Sequence, residues 1–143
     1  MTPEQKVLVQ TTFQKVQPNA VQVADLFYNH LFELDPSLRP LFTGSMTEQG
    51  RKLMQTLSLA VSSLDRLNDL VPVVQRLGER HVNYGVTPNH YPIVAEALLW
   101  TLQQGLGDEF TDEVKAAWVA TYTVLADVMI EAASRVQPPT SLN

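Results

Sequence analysis

The chain has no cysteine. That excludes disulfides, thiolate metal sites and cysteine nucleophiles, and it suits a reducing compartment without requiring one. Basic residues are scarce, ten Lys and Arg against fifteen Asp and Glu, for a net charge of −5. Such a surface lacks the basic face that nucleic-acid phosphates need. It also gives no electrostatic pull towards anionic lipid. No uninterrupted apolar run reaches the length of a membrane span. The opening Met1-Thr2-Pro3-Glu4 lacks the basic and apolar regions of a secretory signal. The expected setting is therefore cytoplasmic, with neither nucleic acid nor membrane as partner. Alternating β-branched runs are absent as well, so nothing reads as strand.

What is present is a set of helix signals. With 143 residues, 45% of them hydrophobic and 17% charged, the chain has the balance of one soluble domain. Thr2-Pro3-Glu4-Gln5 reads as a capping box with proline at the first helical position. It opens a helix to about residue 17, where Pro18-Asn19 breaks it. A second helix is expected over about residues 19–34, with Ala24, Phe27, Tyr28 and Leu31 on its apolar face. Asp35-Pro36 starts a short third helix ending near Phe42. Thr47 is expected to cap the next, with Leu53, Leu57 and Ala60 inward. Asp69 opens another, its stripe made of Leu70, Val73, Leu77 and His81, and Tyr84-Gly85 closes it. Thr87-Pro88 caps a helix that ends at Gly105-Leu106-Gly107, and Thr111 caps a last one to about residue 135. The expectation is an all-α domain over 1–136 with about seven helices, and a flexible tail over 137–143.

Three histidines offer chemistry. His81 lies on the stripe that should face the core. A buried neutral imidazole needs a partner for each nitrogen, and both a hydrogen-bonded core histidine and an iron ligand satisfy that need. His30 has polar neighbours and is expected to be exposed; His90 sits near a helix start. No two histidines fall at zinc-pair spacing. Tyr28 carries a hydroxyl into an apolar face, and Gln49 lies in the first turn of a helix whose inward face holds Leu53. The two could both donate to one small polar ligand, or be a core tyrosine and a solvent-facing glutamine.

Several runs resemble a known family. They are Leu26-Phe27-Tyr28-Asn29-His30-Leu31-Phe32, Asp35-Pro36-Ser37-Leu38-Arg39-Pro40-Leu41-Phe42 and Arg51-Lys52-Leu53-Met54-Gln55. With them go Leu77-Gly78-Glu79-Arg80-His81 before Tyr84-Gly85-Val86, then His90-Tyr91-Pro92-Ile93-Val94, and the stretch from Ala117-Trp118 to Val128. Together they are similar to bacterial single-domain globins and to the globin domain of flavohaemoglobins, over about residues 4–133. The resemblance implies a globin fold around a pocket for haem b (iron protoporphyrin IX). In it His81 is the proximal iron ligand, Tyr28 and Gln49 are distal donors, and Leu53 lies over the iron. Phe42, Leu57, Leu77, Val86, Tyr91, Val94 and Tyr122 line the haem. One departure stands out: where many relatives carry a proximal glutamate this chain has Ala133, and Glu131 lies about 200° away around the helix.

The resemblance also implies oxygen, nitric oxide or another diatomic gas as ligand, with high oxygen affinity and slow release. Nitric oxide dioxygenation would need an external reductase, with Tyr28 and Gln49 as its catalytic pair. Reversible oxygen binding, storage or transport needs none. A haem-based sensor and a cofactor-free helical module are further alternatives. A monomer or weak homodimer is expected.

Overall fold

The computed structural model describes residues 1–136, so the expected tail over 137–143 lies outside the described residues. Those residues form six α-helices and five short 3₁₀ helices, with no strand among them. The α-helices are α1 (Pro3–Val16), α2 (Ala20–Leu34), α3 (Met46–Ser62), α4 (Leu67–Asn83), α5 (Tyr91–Leu106) and α6 (Asp112–Ala133). The short third helix of the sequence reading is 3₁₀ throughout, Pro36–Leu41, with the Asp35 carboxylate accepting from the Ser37 amide. Counting it with the six gives the seven expected.

Local chemistry sets most of the boundaries. Thr2 and Gln5 form a reciprocal capping box on α1, and Thr111 accepts from the Val114 amide at the start of α6. At α3 the cap is Ser45, extended at φ −65° and ψ 128°, and not Thr47. Both residue types cap well, and the backbone turn decides between them. α4 begins at Leu67, two residues before Asp69, because a 3₁₀ turn over Leu64–Arg66 feeds directly into it. α6 ends at Ala133, two residues short of the expected end.

The main core is built from α1, α2, α3, α5 and α6 with the turn at Leu64, around Val9, Phe13, Leu31, Leu64, Ala97 and Trp118. Trp118 buries its ring and donates from Nε1 to Thr12 Oγ1 at 2.9 Å, which ties α6 to α1. α6 is the one described helix long and apolar enough to cross a membrane by length and composition. Lys115 and Asp127 interrupt its apolar sequence, and Val114, Ala117 and Trp118 face the core.

Two glycines set the helix crossings that matter for the site. A Cβ on Gly50 of α3 would stand 2.9 Å from the Ala24 Cβ of α2. A Cβ on Gly78 of α4 would stand 2.4 Å from the Met129 carbonyl oxygen of α6, so the two backbones touch there. α4 packs chiefly on α6 and α3 chiefly on α2, while Ala60 of α3 joins Leu70 and Val74 of α4 in a second, smaller cluster. The α4 stripe is rotated by one residue from the expected one. Val73 is 39% exposed, and Val74, at 7%, takes its inward place beside Leu70.

Candidate functional site

His81 sits in the last turn of α4, half-buried. Its Nδ1 lies 2.7 Å from the Leu77 carbonyl oxygen, one turn back. A carbonyl can only accept, so Nδ1 carries the proton and donates. Burial holds the ring's pKa below the ordinary imidazole value; the bond to Leu77 opposes this in part, and the Arg80 charge adds to it. The ring is thus neutral, with the proton on Nδ1 and a free lone pair on Nε2. That is the state in which an imidazole ligates a metal, its other nitrogen oriented by a carbonyl. Among the described residues no three His, Cys, Asp or Glu side chains gather to hold a bare ion. A metal on His81 would therefore have to bring its remaining ligands with it, as iron does in porphyrin.

The distal candidates come together through the α2–α3 crossing. Ala24 and Gly50 meet, so Tyr28, one turn along α2, lies beside residue 49. The Tyr28 hydroxyl reaches the Gln49 carbonyl oxygen at 3.5 Å, the outer limit of a hydrogen bond, so that carbonyl holds it weakly. Burial pushes the Tyr28 pKa up to about 12, which keeps the phenol protonated and able to donate. Its ring packs edge-on against Phe42 at 5.4 Å and lies near Phe32 at 6.1 Å, with Phe32 and Phe42 themselves 5.4 Å apart. The Arg39 guanidinium lies over Phe32 and donates to the Phe42 carbonyl at 2.9 Å, fixing the end of the 3₁₀ segment. Phe32 and Arg39 fell within the quoted family runs, but neither was singled out as a site residue. The Gln49 side chain is half-buried.

The remaining candidates share one property. Phe42, Leu53, Leu57, Leu77, Val86, Val94 and Tyr122 are all half-buried, neither sealed in the core nor out in solvent. Phe42, Leu53, Leu57, Val94 and Tyr122 pack on the main core from one side. Val86 is tied to His81 by its amide, which donates to the His81 carbonyl at 3.0 Å. Half-buried apolar side chains from α3, α4, α5 and α6, with Phe42 and Val86 from connecting segments, are what lines a cleft for a flat apolar group. These residues fit a haem.

Tyr91 stands apart. It is buried, and its hydroxyl is the one buried side-chain polar atom without a partner among the described residues. Tyr122 spends its own hydroxyl on the Tyr91 carbonyl oxygen at 2.8 Å. Burial, with Tyr91 adding to it, pushes the Tyr122 pKa well above the ordinary phenol value. Glu131 is exposed and pairs with Arg135 at 2.6 Å, so it supplies Tyr91 with no acceptor, as its angle on α6 implied. Tyr91→Phe removes an unpaired buried hydroxyl that costs about 1–3 kcal/mol. Its urea midpoint without cofactor is expected to equal or exceed that of the parent; a fall of more than 1 M would contradict the assignment.

The other histidines differ from expectation in one case. His30 is not exposed. Its ring is stacked on Trp100 of α5 at 4.0 Å and 14° between planes, a neighbour seventy positions away that no local pattern could show. His90 accepts at Nδ1 from the Thr87 amide at 3.0 Å and completes the turn before α5.

The globin family matches residues 25–129. The flavohaemoprotein of Bacillus subtilis is 31% identical over 86% of this chain and 32% of its own length. An engineered carbene transferase of Rhodothermus marinus, whose parent is named as a nitric oxide dioxygenase, superposes with a TM-score of 0.85 at 27% identity over 94% of both chains. A globin of Campylobacter jejuni superposes at 0.82 and 26% identity, covering 94% of this chain and 97% of its own. This chain belongs to the globin family and is a haem-binding globin. It spans about a third of the length of the flavohaemoproteins it matches.

Proposed function

We propose that residues 1–136 form a globin domain that holds haem b through His81, binds oxygen and nitric oxide, and supports nitric oxide dioxygenation with an external reductase. The observation that carries this reading is the tautomer of His81, whose Nδ1 proton is spent on Leu77 and whose Nε2 lone pair is free. Haem, held by His81, would supply the ferrous iron to which a diatomic gas binds.

The chain's own residues do the rest. Leu77 orients the imidazole. Phe42, Leu53, Leu57, Val86 and Val94 exclude water from the macrocycle, and Phe42 also packs against the Tyr28 ring. The Tyr28 hydroxyl, protonated and loosely held, donates a hydrogen bond to the gas, and the Gln49 amide is the second donor. Turning nitric oxide and oxygen into nitrate withdraws one electron from the protein each cycle, so a cytoplasmic reductase must return it. The flavohaemoprotein and dioxygenase names among the relatives favour this role.

A second reading, reversible oxygen storage or transport, is favoured by the uncharged acceptor on His81. Its Nδ1 partner is a carbonyl, Glu131 is paired elsewhere, and Ala133 offers no charge. Repeated additions of nitric oxide to the oxygenated protein, with a reductant present, separate the two. Nitrate that accumulates over many cycles supports dioxygenation. A single conversion that leaves oxidised protein supports storage.

A further inference from the structure

The ring of Tyr28 is aimed by its packing. Its hydroxyl meets the Gln49 carbonyl at 3.5 Å, too far to fix a direction. Phe27, buried in the core, stands edge-on to the ring at 5.0 Å and sets one side. Phe42 and Phe32, both half-buried, cover it at 5.4 and 6.1 Å. The direction of the hydroxyl therefore depends on where Phe42 is held. One exposed residue holds it. The Arg39 carbonyl accepts from the Phe42 amide at 3.1 Å, and the Arg39 guanidinium donates to the Phe42 carbonyl at 2.9 Å. The same guanidinium lies 5.7 Å from the centre of the Phe32 ring, which packs on Phe42 at 5.4 Å. A planar cation can lie against a ring and donate to a carbonyl at once, which an ammonium does less well. The chain that follows offers no comparable hold. Thr43, Gly44 and Ser45 are exposed, and a Cβ at Gly44 would meet nothing within 4 Å.

We infer that Arg39 is a positioning residue for the Tyr28 hydroxyl, acting through Phe42 and Phe32 on the hydrogen bond to bound oxygen. The inference rests on the reading of Tyr28 as a donor to the gas. With the clasp closed, Phe42 stands against the Tyr28 ring and limits its swing. With the guanidinium removed, Phe42 is held by its amide alone. The Tyr28 hydroxyl then points at the gas for a smaller part of the time, and oxygen leaves faster although the donor is still present.

A double-mutant cycle on the haem-loaded chain tests this. Arg39→Met keeps an unbranched side chain and removes the guanidinium. It is expected to speed oxygen release by about threefold to tenfold, less than Tyr28→Phe does. In a chain that already carries Tyr28→Phe it is expected to leave the rate within about twofold, because the group it positions is gone. In the carbon monoxide complex, the infrared C–O stretch of Arg39→Met is expected to move towards that of Tyr28→Phe. In the cofactor-free chain, hydrogen exchange at the Phe42 amide is expected to quicken about threefold or more, which reads the clasp without haem. An equal acceleration in the Tyr28→Phe background, an unmoved C–O stretch or unchanged exchange at Phe42 would each overturn the proposal. A full Tyr28→Phe effect beside an inert Arg39→Met would sink this inference alone. No effect of Tyr28→Phe would sink the distal reading beneath it.

Discussion

Replacing Tyr28 with Phe is expected to speed oxygen release by about tenfold to a hundredfold. A hydrogen bond to a ligand that gains charge on binding contributes about 1.5–3 kcal/mol, and each 1.4 kcal/mol is tenfold in affinity. The phenol is suited to the task because burial keeps it protonated and the 3.5 Å contact to Gln49 ties it only weakly. The ring's packing against Phe42 and Phe32 survives the change, so the effect isolates the hydroxyl. Stopped-flow displacement of oxygen by carbon monoxide gives the rate. An off-rate within twofold of the parent would remove Tyr28 from the distal pair and leave Gln49 or solvent as the donor.

The second large effect concerns Gly78. Alanine in mid-helix is ordinarily more stable than glycine by roughly 0.5–1 kcal/mol, so propensity alone predicts that Gly78→Ala helps. The structure predicts the opposite. The added Cβ would stand 2.4 Å from the Met129 carbonyl oxygen and 2.6 Å from its Cα. Both are backbone atoms that no rotamer change can move, so α4 and α6 must separate. Overpacking of this kind costs about 1–3 kcal/mol and occasionally more, a large part of the ~5–15 kcal/mol that holds a domain folded. Because His81 lies three residues further along α4, haem affinity is expected to fall as well. Urea unfolding of the cofactor-free proteins measures the first effect, and haem transfer to an acceptor protein measures the second. A variant as stable as the parent would show that the crossing is looser than described.

How far this was legible in the sequence depended on how local each signal was. The capping box at Thr2 and the cap at Thr111 involve residues three apart, and both stand where expected. Ser45 and Thr47 are chemically similar caps two residues apart, and the path of the chain leaving Phe42 selects between them. The choice of Val74 over Val73 depends on how α4 meets α6 at Gly78, which is tertiary information. His30 was misplaced for the same reason, since Trp100 covers it from another helix.

The site itself was read mainly through family likeness. Helical spacing placed His81 on an inward face but by itself favoured a hydrogen-bonded core histidine over an iron ligand. The carbonyl of Leu77 removes part of that ambiguity by fixing which nitrogen is free. Gly50 and Gly78 carried a usable signal: a glycine inside a helix lowers helix stability, and a close backbone approach is a common reason to keep one.

Titration of the purified chain with haem, followed in the Soret region beside His81→Ala, bears most directly on the whole account. The parent is expected to saturate at one haem per chain with the spectrum of an imidazole-ligated iron. The variant is expected to lose that spectrum and regain it when free imidazole is added, which separates lost ligation from lost folding. A parent that takes up no haem, or a variant whose spectrum matches the parent's, would contradict the assignment of His81.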